Sequence, residues 1–470
     1  MGTAIGIVSA LFIYPLDFAF SGIIKFVDNI SQLLYPVMVF GASHALIKFY
    51  PSLTEQKQKQ LFNYSLVSVT VVSLVTLAGV VLFNVITQYK DSALVYFAFA
   101  VAFSLAFIDL FRKQAQDMQR LSVPTLFEKI IPKITLPVLF LLLINGYFGV
   151  ITSLWFYAGA YLLILLLIGG YLFSNFKPGF NYRFNNLFTD ISRRDYYRYS
   201  LYAFAGSVGS LLAFRIDGIV IFNWIGEEAN GIFGNGATLA ATMQIPAVGM
   251  FALYAPLISK HLQENTLEPL NMKYKEIARL LFFIGALLYS CIFIGIDDLF
   301  SLLPSSEKLM LTVPIIYILG FSVLINMATG FNTEIITYSK YYRFNMIAIL
   351  LLIVVNIALN AWFVFIADMG IAGVAWASFI SMTLFNFSKL VFIYRKFGLL
   401  PFDAAFGKLV LLFAFTGVVI YLLPETGSHF VNLIYKCGLL VTLNVVAIYK
   451  LRLVYQLNVW IDQALKKFKL

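Results

Sequence analysis

Six basic residues lie inside long apolar stretches, where an ionisable side chain is costly unless something uses it. The chemistry open to their ammonium and guanidinium groups is electrostatic, because each can pair with a carboxylate or hold an anionic group. We therefore look for function first among these residues. They are Lys25, Lys129, Lys133, Arg215, Lys389 and Lys436.

The spacing of three of these lysines leaves two interpretations open for each. Lys129 and Lys133 are four residues apart and share one face of a helix, with Pro132 between them as a predicted bend. Either this face lines a polar path, or the helix starts later and both lysines snorkel to the membrane surface. Lys25 lies three residues before Asp28, so it either forms a structural ion pair or belongs to the site.

Arg215 and Asp217 are two residues apart, which is about 200° around a helix, so they cannot satisfy each other. Each needs a partner elsewhere, and this predicts a shared cavity or an interhelical network. Lys389 and Lys436 lie close to the ends of their apolar stretches, so we expect both to snorkel and exclude them from the site. Four carboxylates are candidate sites for a proton or a sodium ion: Asp28, Glu128, Asp217 and Glu334.

The composition identifies the elements that must position these residues. The chain of 470 residues is 61% hydrophobic and 12% charged, with a mean hydropathy of +0.86. Such values exclude a soluble protein and predict an all-α integral membrane protein. The formal charge of +10 does not indicate nucleic acid, because the basic residues recur at regular loop spacing rather than in one patch.

Basic residues concentrate in every second loop between the apolar stretches. About 25 of the 33 fall in one set of loops, which includes Arg112 and Lys113, whereas only Lys90 and Lys308 fall in the other set. This bias places the first set, and both termini, in the cytoplasm. A helix needs roughly 20 apolar residues to cross the hydrocarbon core. By that measure we predict about fourteen transmembrane helices, at 2–20, 22–48, 61–85, 93–112, 121–144, 148–173, 197–222, 229–258, 275–296, 309–338, 342–366, 371–394, 404–423 and 429–449.

Weak internal sequence similarity divides these helices into repeats. Gly146 and Gly149 stand 224 residues before Gly370 and Gly373, and "SGIIKF" at Ser21 is similar to "NGIFGN" at residue 230. This similarity predicts two six-helix bundles of the same orientation, followed by two further helices. The predicted parts are an N-terminal lobe (1–174), a basic cytoplasmic linker (175–196), a C-terminal lobe (197–397), helices 13 and 14 (398–450) and an amphipathic basic tail (451–470).

Several segments resemble a known family. The stretch "LLAFRIDGIVIFNWIGEEANGIFGNGATL" is similar to the helix 7–8 signature of the Wzx-type lipid-linked polysaccharide flippases. "SGIIKFVDNISQLLYPVMVFGASHALIKFYP" is similar to part of the first two helices, and "GIAGVAWAS" to the helix 11–12 corner. These flippases belong to the multidrug/oligosaccharidyl-lipid/polysaccharide exporter superfamily. Two features depart from the pattern: "FAFSG" replaces the acidic-Tyr-Gly turn after helix 1, and no basic lead precedes that helix.

The resemblance implies a cargo and a location. The cargo would be a polyprenyl pyrophosphate bearing a short oligosaccharide, moved from the inner to the outer leaflet of a bacterial cytoplasmic (inner) membrane for surface polysaccharide such as O-antigen. The implied partners are this lipid-linked sugar, membrane lipid, and the polysaccharide polymerase and chain-length proteins. A pyrophosphate needs cations along its path, and we assign this role to Lys25, Lys129, Lys133 and Arg215. The sequence indicates no catalytic residue, cofactor, metal site or nucleic-acid partner.

Two other functions remain open. A cation-coupled drug or small-solute exporter of the same superfamily would need a tighter and more acidic cavity. A membrane glycosyltransferase or polymerase would be expected to show large outer loops and paired carboxylates, whereas the outer loops here are short. We therefore expect a non-enzymatic exporter that works by alternating access between its halves.

Overall fold

The computed structural model describes residues 2–180, 182 and 184–468 of the chain. Every regular element in this part of the chain is a helix. The chain divides into two compact units, 1–231 and 232–470. The all-helical class predicted from the composition is confirmed, whereas the division into repeats at residues 174 and 197 stays a prediction.

The first unit is built around α2, which packs against α4, α5 and α9. The side chains of Phe20, Phe26, Phe62 and Phe140 fill its core, and each is almost completely buried. In chain order the helices are α1 (Gly2–Phe12), α2 (Phe18–Val39), α3 (Ala42–Phe49), α4 (Glu55–Thr87), α5 (Ser92–Asp117), α6 (Ser122–Ile144), α7 (Val150–Asn175), α8 (Phe184–Leu187) and α9 (Arg193–Trp224).

The second unit is built around its longest helix, α12, which packs against α14, α18 and α19. A π-helical turn at Trp362–Ile366 continues α16. The helices are α10 (Glu227–Ala241), which the unit boundary crosses, α11 (Ile245–Gln263), α12 (Leu267–Ser301), α13 (Ser306–Met310), α14 (Val313–Ala328), α15 (Asn332–Tyr338), α16 (Tyr342–Ala361), α17 (Gly370–Phe397), α18 (Ala404–Tyr421), α19 (His429–Leu451) and α20 (Tyr455–Phe468).

Each of the fourteen predicted segments coincides with a helix or a bent pair of helices. In the described part of the chain, eight helices are long and apolar enough to cross a membrane, and three bent pairs raise this number to eleven. The pairs are α2 with α3 (50°), Glu227–Phe251 with Leu253–Gln263 (49°), whose bend lies within α11, and α14 with α15 (52°). The other three predicted segments are the short apolar α1, the charged α6, and α9.

One predicted helix end was wrong in a way that matters for the site. The fourth segment was predicted to stop at Arg112 because two basic residues there look like a cytoplasmic loop. The structure continues α5 to Asp117, with Arg112 and Lys113 inside the helix. Arg112 is therefore a helix residue that can face other helices, rather than a topological charge in a loop.

Glycines allow α2 and α10 to approach very closely. A Cβ atom on Gly22 would collide with the backbone carbonyl of Glu227, and one on Gly231 would collide with the carbonyl of Phe18. Asn230 Nδ2 donates to the Gly22 carbonyl oxygen at 2.8 Å across the same crossing. This crossing fixes the end of α2 that carries Lys25 and Asp28.

Candidate functional site

The centre of the site is a pair formed by α9 and α2. Arg215 Nη1 donates to Asp28 Oδ2 at 2.7 Å and to Asn29 Oδ1 at 3.1 Å. About a third of the arginine side chain and a fifth of the aspartate side chain are exposed. The prediction that Arg215 finds its partner on another helix is therefore confirmed.

Other polar groups surround this pair. Lys25 lies one helical turn before Asp28, is largely buried, and interacts electrostatically with both Asp28 and Arg215. The phenol groups of Tyr157 and Tyr161, buried on α7, interact electrostatically with Asp28. The α2 carboxylate is thus shared by cations and phenols from three helices.

A second charge network lies where α5 and α6 meet. Arg112 Nη1 donates to Glu128 Oε2 at 2.8 Å, and its Nη2 donates to Asp109 Oδ1 at 3.3 Å. The hydroxyl of Ser43 donates to the other Asp109 oxygen at 2.6 Å. Sequence reasoning assigned Arg112 to a cytoplasmic loop rather than to the site. The signal that could have found Arg112 and Asp109 is their spacing of three residues, which places both on one face of a helix.

One cavity of about 320 Å³ joins the two networks within the first unit. Its charged lining consists of three basic and two acidic side chains, and a tyrosine and a glutamine add neutral hydrogen-bonding groups. The lining residues are Gln32, Tyr35, Leu105, Ile108, Asp109, Arg112, Glu128, Lys129 and Arg215.

The structure separates two lysines that the sequence placed together. Lys129 lines the cavity, its Nζ lies 3.4 Å from Glu128 Oε1, and its side chain is 62% exposed. Lys133 is half-buried one turn further along α6 and is not among the lining residues that the structure describes. Asp217 is half-buried on α9, also outside the described lining.

Two lysines excluded from the predicted site are buried rather than exposed at a surface. The side chain of Lys389 is 1% exposed, and its Nζ donates to Thr333 Oγ1 at 2.8 Å, next to the candidate residue Glu334. The snorkelling prediction was therefore wrong for Lys389, because α17 turns this side chain toward α15. Lys436 is also buried, and its Nζ lies 3.6 Å from Glu425, an exposed residue beyond the start of α19.

The arrangement can bind an anion by exchange. Arg112, Lys129 and Arg215 all face the cavity, and each is held by a carboxylate of the protein. Unpaired cations in a low-dielectric interior are unfavourable, so the carboxylates stabilise the empty cavity. A ligand with several negative charges could replace the carboxylates as the partner of these three cations without moving the helices far.

Comparison with solved structures shows which known proteins share this fold. The fold is similar to that of "Lipid II flippase MurJ, inward closed conformation", with a TM-score of 0.68 and 15% identity over 96% of each chain. It is also similar to an inward-facing multidrug resistance MATE transporter of the MOP superfamily, with a TM-score of 0.67 and 15% identity over 87% of this chain and 96% of that chain. A MOP superfamily transporter from Pyrococcus furiosus matches at 0.56 and 14% identity over 84% and 92%. The chain therefore has the fold of this superfamily's transporters.

The family follows from the sequence itself. A model of the family described as "Polysaccharide biosynthesis protein" matches residues 7–262, which is more than half of the chain. The chain belongs to this polysaccharide biosynthesis protein family. No curated protein matches it.

Proposed function

We propose that this protein is a flippase that moves a polyprenyl-pyrophosphate-linked oligosaccharide from the inner to the outer leaflet by alternating access. Membership of a polysaccharide biosynthesis family supports the sugar, and the fold shared with a lipid II flippase supports a lipid-linked cargo. The observation that carries the proposal is the cavity in which Arg112, Lys129 and Arg215 face one space.

The physical task of such a cargo matches this cavity. A sugar and a pyrophosphate cannot cross hydrocarbon, because polar groups without hydrogen-bond partners there cost several kcal/mol each. The cavity offers cations for the pyrophosphate, while Gln32 and Tyr35 offer neutral hydrogen bonds and an aromatic surface for the sugar. The lipid tail would remain outside in the bilayer.

The pyrophosphate would enter by replacing the carboxylates. Lys129 is the most exposed of the three cations and would meet it first, followed by Arg112 and Arg215. We also retain Lys25 and Lys133 as cations along the path. Asp28, Glu128, Asp217 and Glu334 remain proposed coupling residues if protons or sodium ions drive transport. Moving an anion outward across an inside-negative membrane is favourable by about 2.3 kcal/mol per charge per 100 mV, so the potential itself would assist.

The predicted repeats give the Arg215–Asp28 pair a role in movement. If the lobes divide at 1–174 and 197–397, Asp28 and Arg215 belong to different lobes, and their 2.7 Å bond joins them. Cargo binding that separates the pair would then favour a rearrangement of the lobes. The same proposal places the protein in a bacterial cytoplasmic membrane, beside the polymerase and chain-length proteins that use its product.

A cation-coupled multidrug exporter is the second candidate, because a MATE transporter matches the fold almost as well, at 0.67 against 0.68. Such a protein would bind a cationic or neutral drug. Three basic residues facing the described cavity favour an anionic cargo instead. Drug resistance that depends on the protein, with normal surface polysaccharide in its absence, would support this second function.

The test is export in a strain that lacks the chromosomal copy and carries plasmid variants at matched membrane levels. We expect Arg215→Ala to abolish surface polysaccharide and to accumulate the lipid-linked repeat unit, and Arg215→Lys to restore part of the export. The control is Lys57→Ala, because Lys57 pairs with Asp190 away from the cavity. Normal polysaccharide in the Arg215→Ala strain would overturn the proposal.

A further inference from the structure

The second unit contains a lysine, Lys389, whose side chain is almost completely buried. Lys389 Nζ donates to Thr333 Oγ1 at 2.8 Å and lies 3.9 Å from the centroid of the Phe385 ring. An oxygen ligand on one side and an aromatic face on the other are the surroundings that a bound monovalent cation would have. The lysine therefore occupies a small cation site instead of leaving it open.

The groups around the ammonium include a carboxylate and amides. Glu334 follows Thr333 on α15, and the charges of Glu334 and Lys389 act on each other. The Thr333 hydroxyl donates to Asn332 Oδ1 at 3.1 Å, and Asn332 Nδ2 donates to Asn386 Oδ1 at 3.2 Å. The buried Tyr274 phenol also acts electrostatically on Glu334. The Thr333 hydroxyl binds the ammonium directly, Asn332 and Asn386 extend its hydrogen-bond network, and Glu334 is the next residue on α15.

A break in the span places these oxygens together. The α14–α15 pair bends by 52° at Gly330, whose φ is +61° and whose Cβ, if present, would lie 3.0 Å from the Tyr274 ring. Only glycine fits both the backbone conformation and the close approach. Discontinuous helices are a recurrent way for membrane transporters to form ion sites within the bilayer. The bend lets residues 332–334 turn toward α17.

We propose that the Lys389 ammonium is a tethered cation that fills a monovalent-cation site formed with Thr333 and Glu334, and so excludes sodium from it. The half-buried carboxylate of Glu334 and this ammonium group act on each other electrostatically. The inference narrows the role proposed for Glu334 in ion coupling, because it leaves the proton and removes sodium as the ion that this carboxylate would bind. It does not depend on the identity of the cargo, because it can be tested on the purified protein without cargo.

The experiment measures thermal unfolding of the full chain in detergent, in sodium chloride and in choline chloride at equal ionic strength. We expect the wild-type midpoint to be the same in both salts. Lys389→Met should lower the midpoint in choline chloride, and sodium should raise it again with a saturable dependence. Lys389→Met combined with Glu334→Gln should lose this response. Lys436→Met is the matched control, since it removes another buried lysine that pairs with Glu425, and it should not respond to sodium.

Two results would overturn the proposal. One is a folded Lys389→Met protein with no sodium response, or with the same response as Lys436→Met. The other comes from the wild-type background, so it does not depend on the lysine variant folding: a sodium-dependent midpoint that Glu334→Gln removes would place sodium, not Lys389, beside the carboxylate. Failure of polysaccharide export in the tests above would leave both of these results unchanged, so the two proposals fail separately.

Discussion

The guanidinium of Arg215 is bound to the carboxylate of Asp28 at 2.7 Å, although the two residues are 187 positions apart in the chain. No residue close in sequence takes the place of either partner. Lys25, one turn before Asp28, already interacts with Asp28 alongside Arg215, and Asp217 points away from Arg215 around the helix. The intact pair stabilises the fold, whereas the proposed binding of cargo requires the pair to separate.

Neutralising both members of this pair should separate the two demands. Arg215→Gln alone leaves a largely buried carboxylate beside Lys25 only, and we expect it to lower the free energy of unfolding by about 1–3 kcal/mol. Asp28→Asn with Arg215→Gln should recover most of that stability while export remains lost. Thermal unfolding and surface polysaccharide, measured on the wild type and on both variants, check this. Recovery of export in the double variant would show that the pair is only structural.

Lys129 and Lys133 should differ in their effect on export. Lys129 faces the cavity and can donate to a charged oxygen, a hydrogen bond of about 1.5–3 kcal/mol, so Lys129→Gln should reduce the export rate about tenfold. Lys133→Gln should reduce it by only about twofold, because Lys133 is not in the described lining and would meet the cargo only along its path. The measurement is the rate of new surface polysaccharide after induction. Equal losses would show that both lysines line the polar path, and no loss in either variant would favour the alternative in which both snorkel to the membrane surface.

The crossing of α2 and α10 should not tolerate a methyl group. Gly22→Ala and Gly231→Ala each place a Cβ against a backbone carbonyl that cannot rotate away, so the helices must separate, at a cost of about 1–3 kcal/mol. Gly79→Ala is the matched control, since no atom lies within 4 Å of a Cβ there. Better helix propensity should make that variant neutral or more stable by up to about 1 kcal/mol. The measurement is the thermal midpoint of the three glycine-to-alanine variants. A midpoint of Gly22→Ala or Gly231→Ala as high as that of Gly79→Ala would contradict the prediction.

Acid should weaken one surface contact in a predictable direction. Lys57 donates to Asp190 at 2.6 Å, and this hydrogen bond lowers the pKa of the Asp190 carboxyl below its ordinary value. The contact therefore stabilises the fold at pH values above about 4 and is lost as the pH falls through the lowered pKa. We expect Asp190→Asn to reduce the acid sensitivity of the thermal midpoint between about pH 5 and pH 2. Identical pH profiles for both proteins would contradict this assignment.

The predicted orientation can be checked with single cysteines. In a background with Cys291 and Cys437 replaced by alanine, a membrane-impermeant thiol reagent should label Gly427→Cys in intact cells. It should label Ser192→Cys only after the membrane is opened, because Ser192 adjoins the basic residues Arg193 and Arg194. Both positions are exposed in the structure, so access depends on the side of the membrane. Labelling of Ser192→Cys in intact cells, with Gly427→Cys labelled only after the membrane is opened, would show that the predicted orientation is wrong.

The sequence was a good guide to the helices and a poor guide to how they face one another. Length and apolarity located all fourteen segments, because these properties are local. The need of Arg215 for a distant partner was also predictable, from the angle between neighbouring helix positions. Its identity as Asp28 was not, since it depends on how α2 and α9 pack.

The errors at Arg112 and Lys389 have different physical origins. At Arg112 the helix continues past the predicted end, and at Lys389 the side chain points inward rather than to the surface. Position along a helix gives the depth of a side chain but not the direction in which it points. Lys389 lies eight residues, or about 12 Å, before the end of α17, and a lysine at that depth can reach the surface or turn inward. The bent α15 supplies the oxygen that turns it inward, and no pattern within α17 records that bend.

If the protein is the proposed flippase, the pairing of Arg215 with Asp28 also affects the cavity when no cargo is bound. A bare guanidinium in a water-filled space would concentrate chloride and other small anions. Each chloride ion released on the far side would dissipate part of the membrane potential. With its charge already cancelled by Asp28, the idle cavity has little attraction for chloride, so a cell could keep many copies of the protein in its membrane without an ionic leak.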